Sequence, residues 1–190
     1  MEHTLTPEQI RAFVIAGHGN FETVKQMLAE FPALLNASHQ WSEDDFETAI
    51  QTAAHVGNTA IAPYLLEQGA PLAICTAAML GDRDTVLRLL ADDPAQISAT
   101  GAHHIPLLTH AVLSGDVELA QMVFERGAQQ GATLGLSLAV NKGDVDMVRW
   151  LLKNASPDPN WTNFQGKTAH EIAQDQGFAE IVTLLDQLQP

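Results

Sequence analysis

The phrase that decides the fold lies near the middle of the chain and reads Ala111-Val112-Leu113-Ser114-Gly115-Asp116-Val117-Glu118-Leu119. An apolar stretch precedes the glycine, an aspartate follows it, and apolar residues then recur at helical spacing. Glycine readily adopts the left-handed conformation that ends one helix, and aspartate or asparagine caps the start of the next. The phrase therefore predicts a helix, a tight turn and a second, antiparallel helix.

The pattern recurs at six glycines, Gly19, Gly57, Gly81, Gly115, Gly143 and Gly177; asparagine or aspartate follows the first five, and Phe178 follows the last. Successive glycines are 38, 24, 34, 28 and 34 residues apart. A repeat of about 30 residues that holds two helices is typical of a helical solenoid. We therefore expect an all-α solenoid of about six helix-turn-helix units in a single domain, 1–190. Such proteins usually present an extended surface to a partner rather than carry out chemistry.

The uneven spacing predicts connections of unequal length between the units. Proline and polar residues concentrate at about 32–46, 93–105 and 155–166, whereas the 24- and 28-residue intervals leave little room for a loop. Long and short connections should therefore alternate along one edge of the stack. At the start of the chain, Thr6, Pro7 and Gln9 form a capping-box pattern, which predicts where the first helix begins.

The units resemble ankyrin repeats, whose consensus carries Gly-x-Thr-Pro-Leu-His-x-Ala and a later Gly-Ala pair. The most similar stretch is Gly166-Lys167-Thr168-Ala169-His170-Glu171-Ile172-Ala173, with alanine in place of the proline. Gly69-Ala70 and Gly127-Ala128 occupy the later position. The first three units lack Thr-Pro-Leu-His, and two fingers look shortened. The resemblance covers about residues 5–188 and implies an ankyrin-repeat domain with uneven hairpin fingers.

The resemblance also implies which residues face a partner, because ankyrin repeats grip partners in a concave groove beside the fingers. The two residues before each repeat glycine should line this groove, and its middle would be apolar. An exposed apolar strip usually marks a binding site; alternatively, shortened fingers let neighbouring units cover these side chains. The expected partner-binding residues are His18, Trp41, His55, Val56, Met79, Leu80, Leu113, Asn141 and Trp161.

Three tryptophans differ in their surroundings. Trp41 and Trp161 lie in long polar connections, where they serve as interface anchors or pack beneath their own loops. Trp150 lies on a second helix of a pair and is expected in or near the core. The acidic residues at 43–47 beside Trp41 would suit a basic, partly apolar ligand. The favoured alternative is a solvated run that caps a helix beginning near Phe46.

Motifs for catalysis and metal binding are absent from the sequence. His103, His104 and His110 form the only local group of histidines, and neither His-Glu-x-x-His nor Cys-x-x-Cys occurs. A nucleophile elbow, a P-loop and a dinucleotide fingerprint are also missing. The lone Cys75 is expected to fill core space. We therefore expect no metal, no cofactor and no enzymatic activity.

The charge of the chain limits its partners. Its formal net charge is −14, with an isoelectric point near 4.7, which argues against nucleic acid and anionic membranes. A basic protein or peptide is compatible, although acidity also confers solubility. The first residues lack a signal-peptide pattern and no apolar run approaches the length of a membrane span, so a cytoplasmic protein is expected.

Together these features favour a non-catalytic scaffold that binds a protein or peptide in the groove, as a monomer. Two alternatives remain open. One is an inhibitor of a specific enzyme, whose acidic surface mimics a substrate. The other is a small-molecule or metal-responsive regulator that uses the group His55, His103, His104 and His110.

Overall fold

The computed structural model describes residues 4–187, and that range is mostly helical. It contains twelve α-helices, which are α1 (Pro7–Ala16), α2 (Phe21–Glu30), α3 (Ala49–His55), α4 (Ile61–Glu67), α5 (Ile74–Met79), α6 (Arg83–Asp92), α7 (Leu107–Leu113), α8 (Val117–Glu125), α9 (Ala132–Lys142), α10 (Val145–Asn154), α11 (Ala169–Asp175) and α12 (Ala179–Asp186). Short 3₁₀ helices lie at Pro32–Asn36, Pro94–Ser98 and Ala102–His104.

The helices pack as consecutive pairs. Each odd-numbered helix contacts the even-numbered helix that follows it, and the odd-numbered helices contact one another in chain order from α1 to α11. We call the odd-numbered helices inner and the even-numbered helices outer. Ion pairs also link neighbouring outer segments: Arg83 binds Asp116 and Glu118, and Arg149 binds Glu180. The fold thus extends through contacts between neighbouring pairs.

Polar side chains cap the helices where the sequence predicts them. Thr6 and Gln9 form the expected capping box at the start of α1. Five residues that follow the repeat glycines accept a backbone N–H at the start of an outer helix; they are Asn20, Asn58, Asp82, Asp116 and Asp144. These hydrogen bonds satisfy donors that a helix terminus otherwise leaves free.

Five of the six repeat glycines adopt the predicted left-handed conformation, and Gly19 does not. The φ angles of Gly57, Gly81, Gly115, Gly143 and Gly177 lie between 70° and 78°. In the first turn, the N–H of Asn20 instead donates to the carbonyl of Ala16, so the helical hydrogen-bond pattern continues past Gly17. Gly17 is required there for close packing, since a Cβ atom on it would lie 2.7 Å from the carbonyl oxygen of Ala49.

The connections alternate in length as the spacing predicts. Long connections span 31–48, 93–106 and 155–168, and short ones span 68–73 and 126–131. We call the three long connections fingers 1, 2 and 3. Finger 1 contains an antiparallel hairpin of β1 (Ser38–Ser42) and β2 (Asp45–Thr48), a local element within an otherwise mostly helical range. Fingers 2 and 3 are closed by single bridges, Thr100 to Pro106 and Thr162 to Thr168.

The expected helix near Phe46 is also wrong. Phe46 lies in β2, and α3 begins at Ala49 after a capping box of Thr48 and Gln51. The acidic side chains before it therefore do not cap that helix. Asp45 and Glu47 instead point towards histidines.

The expected exposed apolar strip is part of the core. Met79 and Leu113 are 0% and 3% exposed and pack in the cluster formed mainly by α1–α4. Leu80 is half-buried against the same cluster, and only Val56 remains exposed. The inner helices α3, α5 and α7 contact one another there, so neighbouring pairs cover these side chains. The alternative given above, coverage by neighbouring units, is what the structure contains.

The two halves of the chain form two clusters of buried side chains, one mainly from α1–α4 and the other from α5–α12. Trp150 belongs to the second cluster as predicted, and its ring packs edge-on against Phe124 at 5.7 Å between centroids. Across residues 4–187, no helix combines the length and apolarity required to cross a bilayer.

Candidate functional site

Finger 1 directs two carboxylates to the same side. Side chains of a strand alternate between faces, so Asp45 and Glu47 share one face of β2 while Phe46 occupies the other. On the facing strand, His39 pairs with Glu47, and an irregularity between Gln40 and Ser42 lies at Trp41. Such an irregularity redirects a side chain, and Trp41 points towards Glu47.

Glu47 lies at the centre of the site and is completely buried. The indole N–H of Trp41 donates to its Oε2 atom at 2.7 Å. The Nε2 atom of His103 lies 3.5 Å from the same oxygen, and the Nδ1 atom of His55 lies 2.9 Å from Oε1. Burying a carboxylate costs free energy unless neighbouring groups compensate its negative charge. Glu47 therefore requires hydrogen-bond donors or positive charge beside it.

Two of these buried atoms remain unsatisfied despite their proximity. Glu47 Oε1 and His55 Nδ1 are close, but their angles do not meet hydrogen-bond geometry, and neither has a hydrogen-bond partner within residues 4–187. The His55 side chain is only 11% exposed. A buried polar atom without a hydrogen-bond partner requires an explanation, such as a functional role or a bound ion.

Asp45 holds His103 through two hydrogen bonds. Its carboxylate accepts the main-chain N–H of His103 at 3.0 Å and the ring Nδ1 at 2.6 Å. His103 and His104 both have positive φ angles, 55° and 56°, which are uncommon for residues other than glycine. The contact with Asp45 therefore fixes both the backbone and the ring of His103, and it joins finger 1 to finger 2.

Further side chains surround the cluster. The ring of His39 packs edge-on against Trp41 at 4.5 Å, and Arg11 lies over the Trp41 ring at 5.7 Å. The ring of His18 packs against His55 at 5.2 Å. We call the group Trp41, Asp45, Glu47, His55 and His103 the hairpin cluster.

Opposing effects set the acidity of the two carboxyl groups. Burial would raise the pKa of Glu47, but His55, Trp41 and Thr52 favour the charged form and hold that pKa below its usual range. Burial acts in the same direction on Asp45, and hydrogen bonds from His103 again keep the pKa of Asp45 low. Both groups are therefore carboxylates at neutral pH.

The nine expected partner-binding residues do not form one surface. His18, Trp41 and His55 come together at the hairpin cluster, with Val56 exposed beside His55. Met79 and Leu113 are buried in the core and Leu80 is half-buried against it, so these three side chains do not form an exposed strip. At the other end of the chain, Asn141 is exposed and accepts a hydrogen bond from Gln176, and Trp161 is 37% exposed in finger 3.

The four histidines of the possible regulatory group do not lie together in the structure either. His55 and His103 are neighbours, with ring centroids 5.1 Å apart, whereas His104 is exposed. His110 is fully buried beside a cavity of about 180 Å³, whose lining includes Cys75, Gly101 and Gln51. Its Nδ1 donates to the carbonyl of Pro106, and its Nε2 has no hydrogen-bond partner within residues 4–187.

Asp45 and Glu47 are the functional candidates that sequence reasoning missed. The sequence pattern favours a solvated acidic run for these residues, although their separation of two residues also fits one face of a strand. The structure places the ligand-type atoms of Glu47, His55 and His103 within 4.8 Å of one another. This is a group that can hold a metal ion or form a network of ion pairs.

Large aromatic side chains are exposed on two of the fingers. Phe46 is 51% exposed in finger 1, and Phe164 is 95% exposed in finger 3. Trp41 and Trp161 lie on the same two fingers and are also exposed, though less than Phe46 and Phe164. The fingers therefore present apolar area that the core does not use.

Comparison with known proteins gives one family match. Residues 136–164, which include most of α9, all of α10 and the start of finger 3, match the ankyrin repeat. No curated protein matches the chain. The matched segment contains Gly143 with its left-handed turn and Asp144 with its capping hydrogen bond, the features that recur along the sequence. Residues 136–164 are thus similar to one ankyrin repeat.

Proposed function

We propose that this protein is a non-catalytic interaction module that binds a protein or peptide along the edge formed by its fingers. The observation that carries the proposal is the exposure of Phe164, with 95% of its surface open to solvent. Phe46, Trp41 and Trp161 add exposed aromatic area on the same type of element. Aromatic side chains commonly anchor protein interfaces. Ankyrin repeats in general mediate protein–protein interaction, which supports this assignment.

The proposal includes six repeat units. The match to the family covers the fifth helix pair, and the remaining pairs share its glycine turn, its capping residue or both. Contacts between successive inner helices support a continuous stack. In this arrangement fingers 1, 2 and 3 project from the same edge, because each connects an outer helix to the next inner helix.

The expected partner combines apolar and basic side chains. The net charge of −14 favours a basic segment, and Glu43 and Asp44 are exposed beside the aromatic residues of finger 1. Phe46 and Trp41 would supply the apolar contact. Cys75 is buried, and burial raises the pKa of its thiol to about 12, which favours a core role over a reactive one. We place the module in the cytoplasm, as a monomer.

Affinity capture from the native lysate tests the proposal. The wild-type protein is compared with Phe46→Ser, Phe164→Ser and a control, Leu87→Ser. Leu87 is 40% exposed on the outer helix α6, so its replacement removes exposed apolar area away from the fingers. All three variants should keep wild-type helicity by circular dichroism, because none of these side chains is buried.

We expect a protein that the wild type and Leu87→Ser retain equally, and that the two finger variants retain at reduced levels. The direct affinity for that protein should fall at least tenfold for Phe164→Ser, a loss of about 1.4 kcal/mol. Equal retention by all four proteins would place the interface outside fingers 1 and 3. Retention of no protein above an empty-resin control would contradict the interaction module itself.

A further inference from the structure

We propose that Glu47, His55 and His103 bind a divalent transition-metal ion of the zinc class. The site lies where finger 1 meets α3 and finger 2, and each residue offers one ligand atom. The proposal is independent of the partner: it concerns the interior of the hairpin cluster, whereas partner binding is assigned to exposed aromatic side chains. It also revises the expectation that this chain binds no metal.

The distances already fit a small coordination sphere. Ligand atoms at about 2.0–2.1 Å from zinc and at tetrahedral angles lie about 3.4 Å from one another. Glu47 Oε2 and His103 Nε2 are 3.5 Å apart, and Glu47 Oε1 and His55 Nδ1 are 2.9 Å apart. All three ligand-type groups fall within 4.8 Å. Small side-chain movements would therefore bring them to a common ion.

The unsatisfied atoms point to a cation between these residues. Glu47 is completely buried, and its Oε1 faces His55 Nδ1 without a hydrogen bond. A carboxylate oxygen and an imidazole nitrogen that does not carry the ring proton each have an electron pair that can bind a metal ion. A divalent ion would accept both electron pairs and compensate the buried negative charge.

The surrounding hydrogen bonds prepare the ligands. Asp45 accepts from Nδ1 of His103, which leaves Nε2 of that ring free to bind an ion on the side facing Glu47. A carboxylate that orients a metal-binding histidine in this way is a frequent feature of zinc sites. Trp41 donates to Glu47 Oε2 and fixes the second ligand. Asp45 and Trp41 are thus positioning residues.

The donor set selects the class of ion. Two imidazoles and one carboxylate suit zinc and neighbouring transition metals, whereas calcium and magnesium prefer oxygen ligands alone. Three protein ligands leave one position of a tetrahedral ion open. His103 is 38% exposed, so that position would face solvent. A water molecule is the expected fourth ligand in the isolated protein.

A matched pair of variants tests the proposal. His103 and His104 are adjacent, both are exposed, and both have left-handed backbone conformations, but only His103 belongs to the cluster. Asparagine tolerates this conformation. His103→Asn therefore removes a proposed ligand, and His104→Asn removes a histidine from the same loop with the same chemistry.

The full chain is stripped with EDTA and titrated with Zn²⁺ by calorimetry, and with Co²⁺ by visible absorption. We expect one Zn²⁺ per chain and a tetrahedral Co²⁺ spectrum for the wild type and His104→Asn. His103→Asn should lose at least about 100-fold in Zn²⁺ affinity. Asp45→Asn should lose about 10- to 100-fold, because it removes only a positioning contact.

Two results would overturn the proposal. One is the absence of saturable Zn²⁺ binding at one ion per chain. The other is equal binding by His103→Asn and His104→Asn, which would identify the hairpin cluster as a network of ion pairs only. Circular dichroism in EDTA checks that each variant is folded. His55→Asn, from the other side of Glu47, provides a second ligand deletion should His103→Asn unfold, and the same two results apply to it.

Discussion

Asp45 holds both the main-chain N–H and the ring Nδ1 of His103, at 3.0 and 2.6 Å, across 58 residues of sequence. The two residues lie in fingers 1 and 2, which are distant in sequence. The side chain of Asp45 is only 14% exposed, so solvent weakens this contact less than it weakens a surface ion pair. The pair therefore fixes the relative position of two fingers.

Removal of the Asp45 side chain should destabilise the fold even without metal. Asp45→Ala removes the acceptor of the main-chain N–H of His103 and the acceptor of its ring Nδ1. We expect the free energy of unfolding to fall by about 1.5–3 kcal/mol, the range for hydrogen bonds to charged groups. Urea denaturation in EDTA measures this change. Asp44→Ala, an exposed neighbour, is the control and should stay within about 0.5 kcal/mol of the wild type; equal losses would contradict the role of Asp45.

Met79 should behave as a core residue and not as a binding residue. It is completely buried, so Met79→Ala should cost about 2–5 kcal/mol in unfolding free energy. Val56→Ala, at an exposed position at the end of the preceding inner helix, α3, should cost about 0.5 kcal/mol or less. Thermal and urea unfolding measure both. A stable Met79→Ala protein with impaired partner binding would restore the groove interpretation.

The repeat glycines should differ in their tolerance of alanine according to φ. Gly115 has a φ of 78° and Gly177 one of 73°, whereas Gly19 lacks a positive φ and has open space around its Cα. Gly115→Ala should cost about 1–2 kcal/mol, because alanine is strained in the left-handed region. Gly19→Ala should be nearly neutral.

The position along the stack adds a second comparison among the glycines. Gly177→Ala should lower the urea midpoint less than Gly115→Ala, because a terminal pair has a neighbour on one side only. A valine at these positions should magnify the difference. Equal midpoints for Gly115→Ala and Gly19→Ala would contradict the left-handed turn as the source of the cost.

Acid should destabilise the protein through His110 before its carboxylates are protonated. Burial lowers the pKa of His110 to about 4. The hydrogen bond to Pro106 opposes this shift, and electrostatic repulsion from His55 adds to it. The unfolded chain, with a histidine pKa of about 6.5, then binds a proton first, so unfolding becomes easier as pH falls from about 6.5 to 4. The free energy of unfolding therefore has its full value above about pH 6.5 and decreases as the pH falls through this window.

The variant His110→Asn isolates this effect, since its amide can still donate to the carbonyl of Pro106. Across the window, the wild type should lose up to about 3 kcal/mol more stability than the variant. Urea titrations at fixed pH values, in EDTA, give the difference between the two proteins. Parallel pH profiles would show that His110 does not titrate as a neutral buried group.

The helix pairs could be predicted because their determinants are local. Gly115 and Asp116 end one helix and start the next through hydrogen bonds within a few residues, and the same chemistry recurs in the other turns. Gly19 shows the limit of the pattern. Its sequence resembles the others, but the need for Gly17 to approach α3 closely changes the turn, and that requirement depends on tertiary packing.

The hairpin cluster could not be predicted, because its contacts are distant in sequence. His18, Trp41 and His55 were each identified as candidates, but nothing local placed Glu47 between His55 and His103. The burial of Glu47 depends on the hairpin of finger 1, and its approach to His103 depends on Asp45 in the same strand. The prediction of an exposed apolar strip was wrong for a related reason. The burial of Met79 depends on how neighbouring helices pack together, and this packing is not visible in the local sequence.

Amide hydrogen exchange of the protein, with and without its captured partner, tests the central claim most directly. The account predicts that binding slows exchange in 38–48 and 155–168, the fingers that carry Phe46 and Phe164. Exchange in the outer helices α6, α8 and α10 should remain unchanged. Protection confined to those outer helices, with both fingers unaffected, would contradict an interaction surface formed by the fingers.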